Sequence, residues 1–179
     1  MITIDRLYSV LDKAKVICDN DQNLLESENL ILTLFLTKYL TDIYKTLIFE
    51  IESKNISESE KLDVKERVKL DMKKEFSFDY FNEQKDSNEI AKIISNGIYE
   101  MENSMQNYIR LFGVFKLLDF LHVRKKIEKV NAKTLCALIE LFSSLDLTGK
   151  EEVDLFGLAF KHYYKWSFST ISFRRYIGA

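Results

Sequence analysis

The stretch NLILTLFLTKYLTDIYKTLIFEI, residues 29–51, is the most apolar segment of the chain, and the fold depends on it. A helix that spans a membrane needs about 20 mostly apolar residues in a row. Lys38, Asp42 and Lys45 interrupt this segment, and its longest part without an acidic or basic residue covers only residues 29–37. We therefore expect a helix that is buried in a protein core, not a membrane span.

The spacing of apolar residues within this segment predicts one long helix over residues 28–53. Leucine and isoleucine recur every three or four residues, which places them on one face of a helix. Further apolar residues widen this face, as in a helix that is contacted by neighbours on two sides. The residues of the face are Leu32, Leu36, Leu40, Ile43, Leu47 and Ile51, widened by Ile31, Phe35 and Tyr39.

The rest of the chain is also predicted to be helical. It contains no proline and only five glycines, so residues that break helices are scarce. Similar spacing predicts helices over residues 4–18, 88–109, 131–145 and 151–168. Asp5 is a candidate cap of the first helix, and Asn131 is the candidate cap of the helix over residues 131–145. Residues 58–75 are either a short solvated helix, with Ser57 and Glu60 in a capping box, or a mobile excursion. Residues 76–81, FSFDYF, are expected to cover the core as a loop or short turn.

These elements predict an all-α fold, a compact bundle of about five to seven helices around a long central helix. The length of 179 residues suits one domain, and the 46% apolar and 30% charged shares suit a soluble globular protein. The two cysteines are predicted to be reduced, buried thiols, with a disulfide as the minor alternative. The N-terminus lacks the features of a secretory signal, so we expect a cytoplasmic protein.

The sequence offers few candidates for catalysis. It contains no glycine-rich phosphate loop, no G-x-S-x-G, no C-x-x-C and no H-E-x-x-H. His122 and His162 lie 40 residues apart, and no pattern of ligands or catalytic partners surrounds either. We therefore predict no catalytic, cofactor-binding or metal-binding residues, and an enzyme that works alone is the least supported hypothesis.

The densest basic cluster is RKKIEK, residues 124–129, which Lys133 extends. The net charge of −2 gives no overall attraction to nucleic acid, so DNA affinity would have to come from such a cluster. Its cations could neutralise DNA phosphates, or the cluster could be an ordinary solvated helix face. The candidate phosphate contacts are Arg124, Lys125, Lys126 and Lys129.

The C-terminal segment KHYYKWSFSTISFRRYIGA, residues 161–179, mixes aromatic and basic side chains. Aromatic rings among cations can stack on nucleic-acid bases. The same residues can instead form a protein interface or the edge of a core. The candidate partner interface consists of Tyr163, Tyr164, Trp166, Arg174 and Arg175.

Several segments together resemble the N-terminal helical domain of the modification (DNA adenine methyltransferase) subunit of type I restriction-modification systems. LTLFLTKYLTD, residues 32–42, is similar to the central helix of that family. Residues 134–147 and 153–168 resemble two later motifs, the second through Asp154, Gly157 and Ala159. Residues 90–120 resemble an Ile-rich helix that is followed by Leu-x-Gly-Val-Phe and Asp-Phe, through Ile90, Ile94, Ile98, Met101, Glu102, Asn103, Leu111, Gly113, Val114, Phe115, Asp119 and Phe120.

The resemblance implies a domain without catalysis. The parent family methylates adenine at N6 with S-adenosylmethionine, through a glycine-rich turn and an Asn-Pro-Pro-aromatic motif. A chain without proline cannot contain the second motif, which holds the adenine. The sequence also shows no glycine-rich turn for S-adenosylmethionine, so we expect no cofactor in this chain. Residues 1–168 would be the helical domain, and residues 169–179 a tail where the methyltransferase domain would otherwise begin.

The resemblance also implies a role and partners. Such a domain serves subunit assembly and DNA clamping beside the specificity subunit and the modification subunit, with double-stranded DNA in the assembled complex and no membrane. The alternative is a stand-alone helical interaction module that is unrelated to restriction.

Overall fold

A computed structural model describes residues 2–67, 72–104, 116–148 and 154–164, and over these ranges the chain is helical without a strand. This confirms the predicted all-α fold. Residues 116–118 are helical as well. The main elements are α1 (Ile4–Asp19), α2 (Glu28–Glu52), α3 (Glu58–Arg67), a 3-10 helix (Lys74–Phe76), α4 (Phe78–Glu83), α5 (Ile90–Ser104), α6 (Phe120–Ile127), α7 (Ala132–Ser143) and α8 (Leu155–Tyr164).

Helix α2 is the centre of the bundle. Every residue from 30 to 43 is buried, and α1, α3, α4, α6, α7 and α8 all pack against this helix. Its 25 residues make it about 38 Å long at 1.5 Å per residue. The predicted long central helix is therefore confirmed. No helix in the described ranges is long and apolar enough to cross a membrane.

Polar side chains inside α2 anchor later segments of the chain. Lys38 and Asp42 form a buried ion pair, with 3.0 Å between Nζ and Oδ2. The same Oδ2 accepts a hydrogen bond of 2.9 Å from the backbone N–H of Leu147. Thr41 Oγ1 accepts one of 3.0 Å from the N–H of Phe78. Since buried polar groups are costly without partners, these bonds specify where the two segments pass over α2.

The aromatic segment of residues 76–81 covers the core, as predicted, but it is more regular than a loop. It contains the end of the 3-10 helix and most of α4, and Phe76, Phe78 and Phe81 are buried. Helix α5 approaches this segment closely at Gly97. A Cβ atom there would lie 2.5 Å from the carbonyl oxygen of Glu75 and 2.6 Å from Cζ of Phe81. The close packing of these elements therefore requires glycine.

The N-terminal cap that was predicted from the sequence is correct for α7 but not for α1. Asn131 caps α7 as predicted, since its side chain accepts from the N–H of Lys133 at 3.0 Å. The cap of α1 is Thr3, whose Oγ1 accepts from the N–H of Arg6 at 3.1 Å. Asp5 lies inside the first turn of α1, so its prediction as the cap was wrong.

Two predicted regions lie partly outside the described residues. Helix α5 is described as far as Ser104. Four positions of the family resemblance lie outside the described residues: Leu111, Gly113, Val114 and Phe115. The predicted last helix began at residue 151 and ended at residue 168, of which residues 154–164 are described. There the side chain of Asp154 accepts a hydrogen bond of 3.0 Å from the N–H of Gly157, which caps the start of α8.

The charged segment after α2 forms the predicted short helix, α3. The N–H of Glu60 donates to Oγ of Ser57 at 3.2 Å, which is one half of the predicted capping box. Lys61 donates to the backbone oxygen of Glu52 at 3.2 Å, and Lys65 pairs with the Glu52 carboxylate. Helix α3 is therefore attached to the end of α2 by a network of ion pairs.

The cysteines are both unpaired thiols, which agrees with the predicted reduced state. Cys18 is buried, and burial raises the pKa of its thiol to about 12. Cys136 is only partly buried, and its sulfur lies 3.6 Å from Oδ1 of Asp86. The predicted burial was therefore correct for Cys18 alone, because Cys136 lies at the edge of the apolar face of α7.

Candidate DNA-binding and partner surfaces

Helix α6 carries the first part of the basic cluster. Its N-cap is Asp119, a residue with positive φ (52°) whose side chain accepts from the N–H of His122. Its buried face consists of Phe120, Val123 and Ile127. With these three residues directed into the core, the basic residues between them lie toward the outside of the bundle.

Arg124 and Lys126 are nevertheless engaged within the protein. The guanidinium of Arg124 lies over the ring of Tyr99, 4.7 Å from its centroid, and its Nε donates to Oγ of Ser95 at 3.4 Å. Nζ of Lys126 donates to the backbone oxygens of Leu25 and Glu26 at 2.5 and 2.8 Å. These two cations therefore attach α6 to α5 and to the segment before α2.

The remaining lysines of the cluster are exposed. Lys125 lies on α6, Lys129 on the turn that follows, and Lys133 in the first turn of α7. Glu128 is exposed among them. Three exposed positive charges thus surround the connection between α6 and α7, and Glu128 is an exposed acid beside them.

Asp21, a buried residue from the turn after α1, holds this connection in place. Its Oδ2 accepts from the N–H of Asn131 at 3.1 Å and from Oγ1 of Thr134 at 2.9 Å. Its Oδ1 accepts from the N–H of Asn23 at 2.9 Å. Burial of the carboxylate opposes ionisation, but the three hydrogen bonds outweigh it, so the pKa of Asp21 lies below its usual value. An ionised aspartate therefore anchors residues 125–133, which we call the basic turn.

The two histidines lie apart. His122 is exposed. His162 is stacked on Tyr8, with 4.3 Å between ring centroids, and its Nε2 lies 2.8 Å from Oδ1 of Asp12. Over the described part of the chain, no group of three or more His, Cys, Asp or Glu side chains could hold a metal ion. His162 has a structural position, between α8 and α1.

Two residues of the candidate partner interface hold α8 against the bundle. The hydroxyl of Tyr163 donates to the backbone oxygen of Leu11 at 2.7 Å, and burial raises the pKa of this phenol. The hydroxyl of Tyr164 donates to Oδ1 of Asn29. Trp166, Arg174 and Arg175 lie outside the described residues, so the interface as a whole stays a prediction.

Sequence reasoning missed Asp21 and the buried ion pair of Lys38 and Asp42 in α2. Asp21 lies in the polar stretch DNDQN, where nothing separates it from its polar neighbours, and two of its three partners are 110 and 113 residues away. Lys38 and Asp42 did carry a signal. They are four residues apart in an apolar helix, a spacing at which opposite charges pair.

The comparisons with known proteins give one match. The model of the family described as HsdM N-terminal domain matches residues 12–142, which is well over half of the chain. The match extends from the middle of α1 to the end of α7 and includes both α2 and the basic turn. No curated protein and no solved structure matches the chain. The chain belongs to the HsdM N-terminal domain family, the N-terminal domain of the modification subunit of type I restriction-modification systems.

Proposed function

We propose that this chain is a non-catalytic helical domain that serves subunit assembly and DNA clamping in a type I modification complex. N6-adenine methylation would be performed by a catalytic domain with S-adenosylmethionine as its cofactor, outside the matched region. The observation that carries the proposal is the family match over residues 12–142, which favours it over a stand-alone interaction module. The proposed location is the cytoplasm, where such a complex would meet DNA.

The physical basis of this role is a firm scaffold with charged and aromatic groups on its surface. The buried residues of α2 hold six neighbouring helices, so surface groups on different helices keep their relative positions. Exposed lysines on such a scaffold would contact DNA phosphates, which position a protein on the duplex without reading its sequence. Sequence recognition would then belong to the specificity subunit.

The proposal is tested by co-purification of this chain with the modification and specificity subunits of the same system, with and without duplex DNA. We expect stable incorporation, or competition with the full-length modification subunit. A bovine serum albumin control of equal concentration excludes non-specific retention.

The decisive comparison uses a chain that is shown to be folded by its helical circular dichroism and a cooperative melting transition. If such a chain associates with neither subunit, the assembly role is refuted and the stand-alone interaction module becomes the better hypothesis.

A further inference from the structure

We infer that Lys125, Lys129 and Lys133 form the contact of this domain with the phosphates of duplex DNA, whereas Arg124 and Lys126 are positioning residues. The inference rests on the proposed DNA-clamping function and assigns it to one surface, the α6–α7 turn. It changes the set predicted from sequence, since it removes two of the four residues and adds Lys133.

The first support is the state of the ammonium groups. Lys125, Lys129 and Lys133 are exposed, and their ammonium groups make no hydrogen bond or ion pair with the described part of the chain. They can therefore bind a phosphate without first giving up a partner. Arg124 and Lys126 would have to leave the Tyr99 ring and the carbonyl oxygens before Ser27, respectively.

The second support is the fixed geometry of the turn. The N–H of Lys129 donates to the oxygen of Lys126, and the N–H of Val130 donates to the oxygen of Ile127, both at 3.0 Å. Both bonds join residues three apart, so the chain tightens into a 3-10-type turn at the end of α6. The backbone of Lys129 is therefore held by a hydrogen bond to the helix that carries Lys125. Asp21 fixes the start of α7 and thus the position of Lys133.

The third support is charge. The turn carries three exposed lysines against one exposed acid, Glu128, and one buried acid, Asp21. Lysines therefore exceed acids at this place, although the whole chain has a net charge of −2. A local excess of positive charge on a weakly acidic protein favours a polyanion at that place. Duplex DNA is the polyanion that the proposed function supplies, and each phosphate contact releases condensed counterions.

The test measures binding of the chain to a random-sequence 30-base-pair duplex by fluorescence anisotropy at several potassium chloride concentrations. The test variant carries Lys125→Ala, Lys129→Ala and Lys133→Ala. The matched control carries Lys13→Ala, Lys54→Ala and Lys73→Ala, which removes three exposed lysines from other parts of the surface. Both variants lose the same net charge, so any difference between them reports on position.

We expect the slope of log K against log salt concentration to become shallower by about 0.9 for each lysine removed from the turn, about 2.7 for all three. The control variant should keep the slope of the unmodified chain. In separate variants, Arg124→Met and Lys126→Met should lower the melting temperature and leave the slope unchanged in the folded protein.

Each other outcome overturns the inference, and the results separate failure of this assignment from failure of the proposed function. Equal slopes for the test and control variants, with DNA binding intact, would refute the assignment to this turn but leave DNA clamping in place. Lack of salt-dependent binding by the unmodified chain at low salt would refute DNA contact by this domain. If the test variant keeps its DNA affinity but loses association with the other subunits, the turn is a protein interface.

Discussion

Replacing Lys38 by methionine should destabilise the domain far more than the loss of an ordinary ion pair. Methionine retains the length and apolar character of the lysine stem, so the change removes mainly the charge. Asp42 is only 2% exposed, and without Lys38 its carboxylate keeps a single described donor, the N–H of Leu147. Removal of one partner from a buried ion pair costs about 3–5 kcal/mol, because the other charge stays buried without compensation.

The same helix offers a matched control. Lys45 pairs with Asp79 at 2.7 Å, but both side chains are about half exposed, at 47% and 52%. Exposed ion pairs contribute about 0–1 kcal/mol, so Lys45→Met should have a small effect. The two lysines belong to one helix and have similarly short distances to their partners, and they differ chiefly in burial.

The measurement is the free energy of unfolding at pH 7 from urea titrations followed by far-ultraviolet circular dichroism. A loss for Lys38→Met no larger than that for Lys45→Met would refute the argument from burial. Adding Asp42→Asn to Lys38→Met should restore most of the loss, since the amide is neutral and its oxygen can still accept from the N–H of Leu147. If the double variant is no more stable than the single variant, the loss comes from packing and not from the uncompensated charge.

Three further predictions follow from single contacts. Gly97→Ala should destabilise by about 1–3 kcal/mol by overpacking against the oxygen of Glu75, although alanine alone would favour a helix by about 1 kcal/mol. Asp21→Ala should cost about 1–3 kcal/mol at pH 7, since the donors of partly buried hydrogen bonds lose their acceptor. The folded-state pKa of Asp21 is lowered, so this stabilisation is present above its usual value of 3.8 and is lost as the pH falls through the folded-state pKa. Ellman's reagent should modify Cys136 in the folded chain, slowly because burial and Glu140 raise its thiol pKa, and Cys18 only after unfolding.

Each of these three predictions would be contradicted by a specific result. An increase in the melting temperature of Gly97→Ala would show that the 3-10 helix moves aside at little cost. If the stability gap between the unmodified chain and Asp21→Ala does not narrow in acid, the ionised carboxylate is not what holds the turn. Modification of Cys18 as fast as that of Cys136 in the folded chain would contradict the burial of Cys18.

Helices were predictable from the sequence because their signals are local. Helix α2 was predicted from apolar residues three or four positions apart. Helix α7 begins at the polar residue that was predicted to cap it. Both signals come from residues that are close in sequence to the element they predict. The cap of α1 was not predictable in the same way. Thr3 and Asp5 are both suitable residues, and the cap is the one at which the backbone leaves the helical conformation, which depends on how α1 packs.

For the basic cluster, too, some properties depend on nearby residues and others on residues far away in the sequence. The sequence by itself determined that Arg124, Lys125, Lys126 and Lys129 lie close together, because neighbours in a helix are neighbours in the chain. Only the tertiary structure decided which of these cations are available. The partners of Lys126 lie about a hundred residues away, and Arg124 meets Ser95 across 29 residues. Contacts between side chains so far apart in the sequence depend on how the helices pack around α2. No local sequence pattern predicts these contacts.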